Sequence, residues 1–151
     1  MSNFDPYLDP HNLQRFVTAQ VDDYVIAMQE LRRGQKESHW IWYIFPQVAG
    51  LGESSTAQQY AIQSRDEALA YLEHKELGPR LHECTQTLLQ IEDRDIEDVM
   101  GFPDDLKLRS SMTLFAEISP SDSVFQKVLD RYFGGRTDQK TLAYLDRQGT
   151  E

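Results

Sequence analysis

The chain has 151 residues, 40% of them hydrophobic and 26% charged, which excludes a disordered chain and suits one domain with a full core. Against 15 Lys and Arg stand 25 Asp and Glu, a formal charge of −10. That balance argues against nucleic-acid backbones and anionic membranes as partners, but leaves room for one locally basic pocket. No apolar run nears the ~20 residues of a membrane span. MSNFDPYLDP lacks the basic start and apolar centre of a signal peptide, and the single cysteine, Cys84, has no internal disulfide partner. A cytoplasmic location is expected.

In chain order, residues 1–8 are expected to be loosely ordered. A first helix follows, with Asp9 as its cap and Pro10 in its first turn. It carries Leu13, Phe16, Val17, Tyr24, Met28 and Leu31 at helical spacing and ends at Gly34. Ser38 to Phe45 is then apolar at nearly every phase, so it must be covered almost everywhere. Periodicity does not separate strand from helix there; a short helix capped by Ser38 and stopped at Pro46 is the expectation.

Ser54 or Ser55 caps a short helix through Tyr60, and Ser64 with Glu67 reads as a capping box. Leu77-Gly78-Pro79 restarts the chain into a helix with Leu81, Cys84, Leu88 and Ile91 on one face. Asp95 opens a brief turn to Gly101, and Pro103–Phe115, Ser121–Phe133 and Asp138–Leu145 complete the helices, with 147–151 fraying. The expected architecture is all-α: one domain over 1–151, with seven or eight helices and no coiled coil.

The segments Asn12-Leu13-Gln14-Arg15-Phe16, Ser38-His39-Trp40, Phe45-Pro46-Gln47, Gly50-Leu51-Gly52, Leu77-Gly78-x-Arg80-Leu81 and Asp105-x-Lys107-x-x-Ser110-Ser111-x-Thr113-Leu114-Phe115 carry a resemblance over nearly the whole chain. The sequence resembles the uncharacterised bacterial family catalogued as domain of unknown function 1810, sometimes labelled calpastatin. The resemblance implies a mainly helical single domain and no established activity. The calpastatin label implies disordered inhibitory repeats, which this sequence lacks.

Three constellations bear chemistry. Lys36, Ser38, His39, Trp40 and Trp42, with Gln47 beyond the proline, suit a stacked, anionic, nucleotide-like ligand. The competing reading makes the tryptophans core and His39 a helix-start residue. Lys107, Ser110 and Ser111 share a partly covered helix face, where a lysine needs an acid such as Asp104 or Asp105, or a bound anion. The competing reading is a lysine reaching out to water. Gly50-x-Gly52-x-x-Ser55 fails the dinucleotide fingerprint, because serine replaces the last glycine and Pro46 spoils the preceding strand; a turn able to hold an anion remains.

No cofactor and no metal site is expected, since His11, His39, His74 and His82 form no i, i+4 pair. Cys84 reads as core. The leading functional expectation is a small anionic ligand between segment 38–52 and helix 103–115, with Lys36, Arg80 and Lys107 as charge partners. One alternative is N-glycosidic hydrolysis: the aromatic segment, Tyr60-Ala61, Ala68 and Leu77-Gly78-x-Arg80 are faintly similar to the NADAR hydrolases, which implies NAD- or ADP-ribose-related substrates. The other is a non-enzymatic interaction module with the aromatic segment as core or partner surface. The sequence does not set the oligomeric state.

Overall fold

The computed structural model describes residues 7–149; residues 1–6 and 150–151, within the end segments expected to be loose, lie outside the described residues. The first helix, α1 (Gln14–Arg33), has Leu13 rather than Asp9 at its cap position, although the Asp9 carboxylate reaches the helix start and accepts the N–H groups of Leu13 (2.8 Å) and Gln14 (2.9 Å). Pro10 is not in its first turn either. Asn12 takes a left-handed φ of 52°, so residues 9–13 form a separate turn and the helix starts later. At the other end Gly34 N–H reaches Leu31 O and Gln35 N–H reaches Glu30 O, a Schellman ending.

The aromatic run contributes a single helical turn, α2 (Ile41–Ile44). Trp40, Ile41, Ile44 and Phe45 are enclosed, whereas Trp42 and Tyr43 are half-buried, so one face of this turn stays open. Ser38 does not cap it. Trp40 holds the cap position, and the Ser38 N–H and hydroxyl are both committed to Glu30 of α1. Beyond Pro46 the chain runs parallel to residues 61–63 for one bridge, with Ile62 N–H to Gln47 O (2.8 Å) and Ala49 N–H to Ile62 O (2.9 Å).

Ser54, rather than Ser55, caps α3 (Ser55–Gln59), and Ser64 caps α4 (Arg65–Glu73). The capping box is displaced: Glu67 returns its carboxylate to the N–H of Gln63 instead of Ser64, and binds Arg15 at 2.8 Å. Next come α5 (Leu77–Gln90), α6 (Ile96–Met100) and α7 (Asp104–Glu117). The eighth helix, α8 (Val124–Phe133), is capped by Ser123, two residues later than the expected start at Ser121, and α9 spans Gln139–Gly149.

Nine helices and no strand beyond the isolated bridge make the described residues all-α. Central α7 buries Leu108, Ser111, Met112, Leu114 and Phe115, and packs on α2, α6, α8 and α9. A chain of rings, Phe16–Tyr71 (5.1 Å, edge-on), Tyr71–Phe115 (5.6 Å) and Phe115–Phe125 (5.6 Å), runs from α1 through α4 and α7 to α8. Such pairs add ~0.5–1.5 kcal/mol each beyond the area they bury, and this chain ties both halves of the sequence into one core. Cys84 lies inside it against Met28 Sδ (3.5 Å), and burial pushes its thiol up to about 12. Among the described residues, no helix is long and apolar enough to cross a membrane.

Candidate functional site

The open face of α2 looks into a groove of about 1290 Å³. One wall is Trp42 with the loop through Gly50 and Gly52, closed below by Tyr60 and Gln63. The Val48–Ile62 bridge holds this wall in place. The second wall is α7, which presents Pro103, Leu106, Lys107 and Ser110, residues three or four apart on one face. The third comes from the far end of the sequence, as Arg136, Asp138 and Lys140.

The third wall depends on two glycines. Gly134 and Gly135 take φ of 62° and 77°, conformations costly for other residues, and reverse the chain after α8. Asp138 then fastens the start of α9 to α7. Its Oδ2 accepts from Ser110 Oγ (2.8 Å) and Thr141 Oγ1 (2.6 Å), and its N–H donates to Thr113 Oγ1 (2.9 Å). At the other end of the wall, Tyr144 donates to the Gln63 carbonyl (2.7 Å).

The groove is basic in an acidic protein. Lys107, Arg109, Arg136 and Lys140 line it, against the acids Glu53 and Asp138. Lys107 Nζ lies 5.1 Å from the centre of the Trp42 ring and 3.5 Å from Asp104 Oδ1. Burial pushes the Tyr60 hydroxyl up, with Arg15 opposing, so it stays protonated and can donate. Cations, one indole face, a phenol and side-chain amides suit a flat group carrying negative charge.

Of the residues selected from sequence, Trp42, Gln47, Lys107 and Ser110 line this groove. Lys36, Ser38 and Trp40 lie behind it. Lys36 Nζ is buried against Asp104 Oδ2 (2.7 Å), hydrogen-bonded to the Ser38 carbonyl and set 4.7 Å over the Trp40 ring. The two lysines therefore meet at Asp104, but only Lys107 opens to the groove. Trp40 donates its indole N–H to Glu30 (2.9 Å). His39 is exposed, and its carbonyl accepts from Tyr43. Arg80 reaches Gln20 Oε1 (3.3 Å) over the Tyr24 ring, outside the groove lining, and Ser111 is fully buried in the core. Gly50 and Gly52 do line the groove.

Sequence reasoning missed Arg109, Arg136, Asp138, Lys140 and Tyr60. The one local signal was Gly134-Gly135-Arg136, a forced turn delivering a cation just before the Asp138 cap. Among the described residues no cluster of three or more His, Cys, Asp or Glu is arranged to hold a metal.

The comparisons add the following. The family model described as "Protein of unknown function (DUF1810)" matches residues 10–145. A crystal structure of the conserved hypothetical protein Rv1873 from Mycobacterium tuberculosis is similar at 51% identity and a TM-score of 0.90, over 91% of this chain and 99% of that one. No curated protein matches. With nearly the whole helical domain inside the matched span, the chain belongs to the family of proteins of unknown function DUF1810.

Proposed function

We propose that this protein binds a small anionic, nucleotide-derived ligand in the groove between the aromatic turn, α7 and the start of α9. The observation that carries this reading is the convergence of Lys107, Arg109, Arg136 and Lys140 on one cleft of a chain whose formal charge is −10. Like charges repel, and gathering them costs stability unless a counter-charge joins them. Trp42 offers a face for stacking, and the volume exceeds the ~300–1,000 Å³ usual for drug-sized ligands. A base, a sugar and phosphates fit within it. An open groove rimmed by polar groups also favours a ligand over a flat apolar partner surface.

A thermal-shift panel of ADP, ADP-ribose and sugar phosphates, with uncharged nucleosides as controls, tests the reading. A ligand at 100 times its Kd stabilises by ~2.7 kcal/mol, which for a chain of this size raises Tm by roughly 5–10 °C. Lys107→Met should change the ligand-free Tm little, because its pair with Asp104 is partly exposed and worth ~1 kcal/mol or less. It should lose most of the ligand-induced shift, since a charge-assisted bond contributes ~1.5–3 kcal/mol. A panel with no shift contradicts the reading. Unfolding of Lys107→Met without ligand would make Lys107 a structural residue.

A further inference from the structure

Among the described residues the half-buried Lys and Arg side chains are matched by polar partners, with one exception. Arg15 binds Glu67 and the carbonyls of His11, Asn12, Gln59 and Ala61, Lys36 and Lys107 share Asp104, Arg65 faces Glu117, and Arg80 reaches Gln20. Arg109 has no ion pair and no side-chain hydrogen bond among the described residues, and its Nε is buried without a partner. It lies on α7 and lines the groove. Buried N–H groups are almost always paired, and a guanidinium does not escape the cost by losing its proton. Across the cleft Arg136 and Lys140 also have no ion pair among the described residues; Arg136 Nε donates to the Phe133 carbonyl, and Oδ2 of the neighbouring Asp138 accepts from Ser110 and Thr141.

Resting on the groove reading above, we infer that Arg109 is the anchoring residue of this site and that the group it holds is a phosphoryl or diphosphoryl group. Three cations on two facing walls carry more charge than one carboxylate can neutralise. A phosphoryl group offers about two negative charges and three or more acceptor oxygens, enough to engage donors from both walls at once. The planar arginine fork matches that geometry with paired hydrogen bonds, which a lysine in the same place does not reproduce. Arg109 is held by the rigid central helix, whereas Arg136 and Lys140 are exposed and reach in from the turn and the first residues of α9. The helix-borne donor sets the position of the anion, and the exposed pair adds charge.

Asp105, one turn earlier on α7, also has a buried carboxylate oxygen without a partner. A water held between Asp105 and Arg109 is the structural rival to this assignment, and the experiment separates the two.

Titration calorimetry with sodium pyrophosphate, and with succinate as a dicarboxylate control, is run on the full chain. The variants are Arg109→Lys, Arg109→Gln, Asp105→Asn and Lys140→Met, each with its ligand-free Tm. The expected result is pyrophosphate bound much more tightly than succinate. Arg109→Lys should weaken it at least ~10-fold and Lys140→Met only a few-fold, with the Tm of Arg109→Lys close to that of the parent.

Pyrophosphate bound equally by Arg109→Lys and the parent, yet weakened in Lys140→Met, removes the anchor assignment and leaves the groove reading standing. Succinate binding as tightly as pyrophosphate overturns the phosphoryl class. A large, matched fall in Tm for both Arg109 variants and Asp105→Asn identifies the water-bridged structural pair and also overturns the proposal. Pyrophosphate failing to bind the parent overturns it as well. The groove reading falls with it only if the nucleotide panel gives no shift.

Discussion

Glu30→Ala is expected to cost about 4 kcal/mol in a urea unfolding experiment, a large part of the ~5–15 kcal/mol that holds a domain together. Glu30 is 4% exposed and takes four hydrogen bonds: the N–H of Glu37 (2.8 Å), the N–H (2.9 Å) and hydroxyl (2.5 Å) of Ser38, and the indole of Trp40 (2.9 Å). Alanine leaves those donors without an acceptor in a place water does not easily reach. The network is also what anchors α2, and hence Trp42, to α1.

Its pH dependence has a definite sign. Burial alone would raise the Glu30 carboxyl, but the bonds from Ser38, Glu37 and Trp40 outweigh it and hold it at about 2, below its ordinary 4.5. A depressed carboxyl stabilises the fold above its unfolded pKa, and that contribution fades as pH falls from about 4.5 toward 2. The difference corresponds to about 3 kcal/mol. Glu30→Gln should flatten stability across that acid range, and an unchanged acid limb would contradict the assignment.

Gly78→Ala is the second large effect. Gly78 lies in the first turn of α5, and a Cβ there would stand 2.0 Å from the Leu72 carbonyl oxygen and 2.9 Å from its carbon. Both are backbone atoms of α4, so no rotamer relieves the clash. The two helices would have to separate. Ordinary overpacking costs ~1–3 kcal/mol; this substitution is expected at or above the top of that range. A denaturation midpoint within error of the parent would mean that the α4–α5 junction gives way easily.

Much of the fold was legible because its signals are local. Gly34, Ser54, Ser64 and Gly134 end or start helices as their chemistry dictates, and the stripe of Leu81, Cys84 and Leu88 is buried as the spacing predicts. Ser38 misled because it sits where a cap belongs, while Glu30, eight residues earlier, is the stronger acceptor for its hydroxyl and N–H. Asn12 misled because a left-handed residue leaves no periodic trace.

The groove was half legible. Trp42, Gln47, Lys107 and Ser110 come from the two segments that sequence pointed to, but no spacing rule connects residue 42 with residue 136 or 140. Only packing of α9 on α7 brings the third wall into place. Lys36 and Lys107 look equivalent in sequence. Burial separates them: the Lys36 side chain is 4% exposed and that of Lys107 33%, so one is tied into the fold and the other faces the cleft.

The most direct test uses the two tryptophans, whose indole N–H signals are resolved in a 15N-labelled sample and assigned with Trp42→Phe. Trp40 is enclosed with its indole N–H held by Glu30, whereas Trp42 lines the groove. Titration with ADP or ADP-ribose should move the Trp42 signal saturably and leave that of Trp40 nearly still. A Trp42 signal that stays fixed while millimolar amounts of both compounds are added would contradict an anion-binding groove at this face of the molecule.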